Sequence, residues 1–339
     1  MKFKTMLGMM GAPHMRTHMG LMKQLKNVHR TAWLAAACKH KLLPQLQMPR
    51  SLDEVAAFFD VDNSRHPALR AYLEHGVILN ELGKQGERYV AKSRAARELA
   101  QETASVSAAF AEALVKVHHD GIYGALDHLQ DGRHLHDLDH DLIARVSELS
   151  GPLLEEVLDT HLPKQAASHL ELGCGHGRYI RHALRVRPQL TAVGVDLDEN
   201  VANTATQLLQ DEGLADRARV VAGDFLDVTL DERFDTVSLF NLLYYLAPAR
   251  RAEAVQKVAD WLQPGGKVIL LSACQGGGYG MNILDVWFSS LVECGPLPDV
   301  NDISKMMHDA GLVDVTLKAM MPGESMYLVT AVKPKQLSA

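Results

Sequence analysis

His169-Leu170-Glu171-Leu172-Gly173-Cys174-Gly175-His176-Gly177-Arg178-Tyr179-Ile180 decides how this chain is read. A short apolar run, broken by one acid, leads into three glycines at every second position and then into a helical pattern. Glycine there lets the backbone turn tightly and approach a ligand closely. Downstream, Val193-Gly194-Val195-Asp196 reads as a second strand whose closing acid stands 19 residues after Gly177. An acid at that point is placed to accept hydrogen bonds from both ribose hydroxyls of a nucleoside. A third strand ends in Gly223-Asp224-Phe225, and a fourth runs Phe234-Asp235-Thr236-Val237-Ser238-Leu239-Phe240-Asn241. Leu262-Gln263-Pro264-Gly265-Gly266-Lys267 then reads as a turn into Val268-Ile269-Leu270.

From Ala167 onward the texture is uniform. Apolar runs at His169–Leu172, Ala192–Val195, Val220–Ala222, Thr236–Phe240, Val268–Leu271, Val313–Leu317 and Met326–Ala331 alternate with amphipathic segments. Short apolar runs between helical stretches indicate a parallel sheet covered by helices, an α/β fold. Residues 91–165 are helical in pattern with few strand signals. A nicotinamide dinucleotide is the competing ligand for the glycine loop. Its fingerprint is G-x-G-x-x-G with a helix N-terminus offered to a pyrophosphate. Here the third glycine comes one residue early, and Glu171 precedes the glycines. A carboxylate suits a cationic amino-acid ligand and repels a pyrophosphate.

Taken in this order and spacing, the motifs of residues 150–332 resemble the class I S-adenosylmethionine-dependent methyltransferases. The resemblance implies a Rossmann-like seven-stranded sheet with an antiparallel last strand. It implies that Glu171, Gly173, Gly175 and Gly177 surround the methionine part of the cofactor. Asp196, with Leu197 after it, would hold the ribose. Asp224, following Gly223, would meet the adenine amino group with Phe225 beside the ring, and Asn241 would lie near the sulfonium.

The first part of the chain is different. Residues 1–28 are basic, rich in Met and punctuated by Gly8, Gly11, Pro13 and Gly20, and read as a loose arm. A helix is expected over residues 29–46, where Trp33, Leu34, Ala37, Leu42 and Leu43 recur at helical spacing. Ser51-Leu52-Asp53-Glu54 is a capping box that opens another helix, and a further helix is expected from Pro67 to His75. Residues 77–82, a Gly83–Gly86 turn and Arg88-Tyr89-Val90 read as a hairpin. Helices followed by a hairpin outline a winged helix over residues 29–95. Residues 96–160 then form a helical linker, and residues 161–339 the cofactor-binding domain. This order resembles the small-molecule methyltransferases of the plant O-methyltransferase and bacteriochlorophyll-methyltransferase type. There the first domain dimerises the chain and lends residues to the substrate pocket. A DNA-binding winged helix, in a protein that senses the cofactor, is the non-enzyme alternative. Its groove helix would carry only Arg65 and Arg70 beside Glu74, a thin basic face.

Methyl transfer is an in-line displacement, so the enzyme must align nucleophile and methyl and exclude water. Oxygen, nitrogen and thiol acceptors also lose a proton, and a base often takes it. In the O-methyltransferase relatives that base is a histidine shortly after the fourth strand. Here the segment is Asn241-Leu242-Leu243-Tyr244-Tyr245-Leu246, with Tyr244 in the histidine's place. A tyrosine titrating near ~10 is a poor base at neutral pH. Tyr244 and Tyr245 are therefore expected to position the acceptor, which favours one that needs no deprotonation. A thioether acid such as 4-methylthio-2-hydroxybutyrate fits, and the bacterial enzymes that S-methylate it in dimethylsulfoniopropionate synthesis are similar in size and class. The alternative is O- or C-methylation of an aromatic natural product or pigment. Six histidines, His118, His119, His128, His134, His136 and His140, crowd one stretch among acids. Three of them, His134, His136 and His140, suggest a shared ion, but the spacing is not specific and this chemistry needs no metal, so no metal is expected. His118, His119, Tyr123, Arg133, His176 and Arg178 offer donors for a substrate carboxylate. Met281 and Trp287 follow the fifth strand, where the family closes its pocket.

Bulk properties agree with a globular enzyme. The 339 residues are 47% hydrophobic and 22% charged, which excludes a disordered or fibrous chain. No run approaches the ~18–20 apolar residues of a membrane helix, and the basic start lacks the apolar core of a signal peptide. Residues 1–100 carry a balance of +8 and the rest −14, which two parts packing near each other accommodates. Cys38, Cys174, Cys274 and Cys294 form no C-x-x-C pair, so a reduced, cytoplasmic protein is expected.

Overall fold

The computed structural model describes residues 14–335. The chain divides into two compact units, Met1–His119 and Asp120–Ala339.

The first unit is built on a helix spanning Met15–Lys39. The expected arm therefore ends by residue 14, and its first thirteen residues lie outside those described. Met, Leu, Lys and Gln are good helix formers, and together they carry the helix through residues 15–28. Gly20 interrupts them at a point where nothing lies within 4 Å. Trp33 is buried, stacks on Tyr72 at 5.5 Å and donates to its carbonyl at 3.1 Å. The Ser51 capping box forms as read: the Ser51 N–H donates to Glu54 Oε2 at 2.6 Å and the Glu54 N–H to Ser51 Oγ at 3.3 Å. It opens the helix Leu52–Phe58.

The hairpin needs a correction. Val77 and Ile78 end the helix His66–Ile78, and the strands are β1, Leu82–Gln85, and β2, Arg88–Ala91. Asn80 stops the helix in the left-handed region, with its N–H on Val77 O at 2.9 Å and the Glu81 N–H on Gly76 O at 3.0 Å. That is a Schellman cap, and it makes an apolar run that mimics a strand into a helix terminus. The helix Ser105–Ala113, continued by a π-helical turn at Leu114–His119, packs on Met15–Lys39. For this reason the division between units falls inside the stretch read as a linker.

The second unit begins with short helices, the last being Gly151–His161, and then forms one sheet. Its strands are β3 Ser168–Leu172, β4 Thr191–Asp196, β5 Ala218–Ala222, β6 Phe234–Phe240, β7 Leu262–Ala273, β8 Val313–Ala319 and β9 Met326–Val332. Their order is β5-β4-β3-β6-β7-β9-β8. The first five are mutually parallel, whereas β9 runs antiparallel to both β7 and β8. Each expected apolar run is a strand. The expected turn at 262–267 lies within β7, where pairing with β6 jumps from Phe234–Leu262 to Thr236–Lys267. Residues 263–266 bulge out between those pairs, around Gly265 at φ +82.

Both faces of the sheet are covered. Leu170, Leu172, Val237, Leu239, Val268 and Leu270 join one cluster with Val255, Val258 and Ile303 from flanking helices. Ile269, Leu271, Phe240 and Leu328 pack on Leu154, Val157 and Leu158 from the other side. Burial on both faces is why these strands read as short, mainly apolar runs. His169 is fully buried between Thr236 Oγ1 at 2.8 Å and Ser238 Oγ at 3.2 Å, and burial pushes its pKa down to about 4. All four cysteines are free. No helix among the described residues is long and apolar enough to cross a membrane.

Candidate active site

Chain order reverses at β3, whose neighbours are β4 and β6. The crevice outside the carboxyl ends of strands at such a switch point is where open α/β sheets bind ligands. Glu171, Asp196 and Asn241 stand on or just beyond the ends of these three strands.

The turn after β3 is shaped by its glycines. Gly173, Gly175 and Gly177 have φ of 67°, 54° and 70°, a region costly for other residues. A Cβ on Gly173 would lie 3.0 Å from Leu242. A Cβ on Gly175 would meet nothing within 4 Å, so that glycine faces open space. Gly177 caps the helix Arg178–Val186. Directly after β6, Asn241 also sits at positive φ, 54°, with its N–H on Leu271 O at 2.8 Å.

The electrostatics are those of a site for a cation. Glu171 is 1% exposed and its Oε2 is buried without a hydrogen-bond partner. Burial, and then the Asp196 charge, push its carboxyl well above the usual carboxylate range. Burial also raises Asp196, although the Gly175 N–H at 2.8 Å and the Asp198 N–H at 3.1 Å pull the other way. Cys174, buried beside them, is raised by burial and by both acids. Asn241 Oδ1 is a second buried acceptor with no partner. Two acids and an amide oxygen, with an acceptor unmatched on each side, want donors that carry positive charge. An ammonium and a sulfonium-bearing chain fit this set, and a pyrophosphate does not. The residues present therefore fit S-adenosylmethionine. Glu171 and the glycines would meet its amino-acid part, and Asp196 its ribose.

The remaining cofactor candidates differ among themselves. Asp224 accepts from the Leu226 N–H at 2.9 Å and lies 3.6 Å from Arg250. Gly223, at φ +147, donates its N–H to Asp196 O at 2.8 Å and so ties β5 to β4. Phe225 is buried in the core against Leu226 and Val193, whereas Leu197 is exposed.

An aromatic wall follows β6. Tyr244 and Tyr245 lie 5.2 Å apart between ring centres, and Phe288 is 4.6 Å and 4.8 Å from them. Burial pushes both tyrosine hydroxyls far up, beyond the ordinary phenol range. Neither is a base near neutral pH. Trp287 joins Phe288 at 4.9 Å, packs on Gly121, and leaves a buried indole N–H without a partner. Met281, on the same helix Tyr279–Ser289, packs at the edge of the cluster that holds Phe240.

The two expected arginine donors are already engaged. Arg133 binds Asp120 at 2.8 Å, and Arg178 binds Glu155 at 3.0 Å. His118 and His119 belong to the first unit, and Tyr123, Arg133, His176 and Arg178 to the second. His118 is held below its usual range by burial and packs on Phe110. Tyr123 is largely exposed. Among the six crowded histidines, His134 and His136 stack at 5.2 Å, and their neighbour is Glu293 rather than His140. Sequence reasoning missed Glu293 because it lies 159 positions from His134. It also missed Cys174, whose bulk against the bare Gly194 has no sequence signature.

Comparison with known proteins bears on the domain and the fold. Residues 170–266 match the sequence model of a methyltransferase domain. Demethylspheroidene O-methyltransferase of Cereibacter sphaeroides is 27% identical over 171 residues, 49% of this chain and 44% of that protein. The aligned part thus spans less than half of that relative's length. An O-methyltransferase family protein from Burkholderia thailandensis shares the fold with TM-score 0.75 and 22% identity, over 94% of this chain and 98% of that one. Human N-acetylserotonin methyltransferase, solved with S-adenosylmethionine, gives TM-score 0.72 at 16% identity over 94% and 98%. The fold is the Rossmann-like methyltransferase fold behind a mostly helical N-terminal region.

Proposed function

We propose that this chain, whose residues 170–266 are a methyltransferase domain, transfers a methyl group from S-adenosylmethionine to a small molecule. The observation that carries the reading is the buried acceptor pair, Glu171 Oε2 and Asn241 Oδ1, left unmatched around an open glycine turn. When bound, the cofactor supplies an electrophilic methyl carbon on a sulfonium. The chain's own residues hold it, dehydrate the acceptor and align it.

The acceptor we favour is a thioether sulfur, as in 4-methylthio-2-hydroxybutyrate. A thioether attacks through a lone pair and loses no proton, and the wall at Tyr244, Tyr245 and Phe288 offers no base. Tyr244→Phe is then expected to cost at most about tenfold in kcat, the worth of one hydrogen bond. The pH–rate profile should lack a limb from a catalytic base. A hydroxyl on a pigment or natural product is the second reading, supported by the demethylspheroidene O-methyltransferase among the relatives. Under it, removal of the base should cost ~10²–10⁴-fold and a rising limb should appear. Radiolabelled cofactor offered with thioethers, phenols and amines separates the two.

We also propose a homodimer formed through the first unit. The helix Met15–Lys39 leaves Met19, Leu21, Met22, Leu25 and Val28 exposed, and the same helix of a second copy would cover them. Light scattering at micromolar protein should give twice the chain mass, and Met22→Glu with Leu25→Glu should halve it. A wild-type monomer removes the proposal.

A further inference from the structure

Two of the unused histidines, His134 and His136, lie beside Glu293. His134 follows Arg133, whose carbonyl accepts the Val292 N–H at 2.8 Å, in a short bridge that pairs Arg133 with Leu291. That bridge brings Glu293 to the histidines. Glu293 Oε2 accepts the Leu135 N–H at 3.1 Å, which turns Oε1 toward His134 Nδ1 at 2.6 Å. His136 stacks on His134 with the rings 19° apart. One ligand atom from each of His134, His136 and Glu293 lies within 4.8 Å of the others. The ligand atoms of a tetrahedral zinc stand about 3.3 Å apart, given bonds near 2.0–2.1 Å. Small rotations of exposed side chains close the difference.

We propose that His134, His136 and Glu293 bind a divalent transition-metal ion of the zinc class. Two imidazoles with one carboxylate is a donor set for zinc, nickel or copper, and a poor one for magnesium or calcium, which want oxygen. The backbone prepares the set before any ion arrives. The Leu135 N–H fixes one Glu293 oxygen, and Asp137 accepts the His134 N–H at 3.0 Å. Asp137 also stands 3.4 Å from His136 Nε2, as a carboxylate does behind a metal-bound imidazole. His136 and Glu293 are exposed and His134 is half-buried, which leaves room for solvent to complete the coordination.

An ion here does structural work. It fastens the segment after the helix Ala125–Asp131 to the loop after Tyr279–Ser289, whose Trp287 and Phe288 form the aromatic wall. It takes no part in methyl transfer, so the inference is independent of the proposed function.

The test is zinc titration of the full chain, free of any affinity tag and stripped with EDTA, followed by calorimetry and thermal melting. Wild type should bind one zinc at this site and melt higher with it. His136→Ala and Glu293→Gln should each weaken that binding ~10–100-fold and abolish the upward shift. The His136 side chain is 76% exposed, so its removal leaves the fold intact. His140→Ala should change nothing. Zinc binding and melting unaltered in His136→Ala and Glu293→Gln, or a wild type that takes up no zinc, would overturn the proposal.

Discussion

Gly175→Val is expected to lower affinity for S-adenosylmethionine by about a thousandfold or more, roughly 4 kcal/mol, in a protein that still folds. Two effects add. At φ 54° a β-branched residue strains the backbone by about 1–3 kcal/mol, and a free turn that relaxes out of this geometry must be returned to it on binding. The side chain would also enter the open space that Gly175 faces, where no protein atom lies within 4 Å of a Cβ. On the proposed function, what the side chain displaces there is the cofactor. Gly194 supplies the contrast, since its Cβ would come within 2.7 Å of Ile180 and 2.8 Å of the Cys174 sulfur. Substitution at Gly194 should damage the core itself. Gly175→Ala should fall between wild type and Gly175→Val, because it brings strain with little bulk. Calorimetry gives the affinity and circular dichroism the fold. Binding by Gly175→Val within tenfold of wild type would remove the cofactor from this turn.

The same turn explains how far the sequence could be read. Strands β3, β4, β6 and β7 are buried on both faces, so each carries a short, mainly apolar stretch in place of a polar face, with His169, Glu171, Thr236 and Ser238 as buried exceptions. The three glycines stood out in the sequence, and each sits where a side chain costs energy. Elsewhere local pattern misled. Val77-Ile78-Leu79 has the composition of a strand, and only the cap at Asn80 makes it a helix end. The helix over residues 15–28 was hidden because its apolar residues face solvent and mark no core. Pairings far apart in the chain, Arg133 with Leu291 and His134 with Glu293, leave no trace in spacing. The ion pairs of Arg133 and Arg178 were equally invisible, and they change those residues from ready donors into neutralised ones.

Glu171→Gln is expected to weaken S-adenosylmethionine binding by roughly 3 kcal/mol, between a hundred- and a thousandfold. Gln keeps the shape of the side chain and removes the charge that an ammonium would face. The size follows from burial, because a buried cation deprived of its partner suffers more than one at the surface. The pH dependence is the sharper signature. In the free protein Glu171 holds its proton well above the ordinary carboxylate range, owing first to burial and then to Asp196. A cationic ligand beside Oε2 favours the ionised form and so lowers that pKa. Binding therefore releases a proton at any pH between the lowered and the raised value. Affinity must fall as pH drops through the raised value, and level off only below the lowered one. Wild type should lose affinity as pH falls through the raised value, and calorimetry in buffers of different ionisation enthalpy should register the released proton. Asp196 titrates in the same direction and remains in the variant, so the measure is the difference between the two proteins. Glu171→Gln should release fewer protons and show a flatter pH dependence. Equal affinity in both proteins at pH 7, with equal proton release, would mean that the unmatched Glu171 oxygen meets no cation and that the cofactor's amino-acid end lies elsewhere.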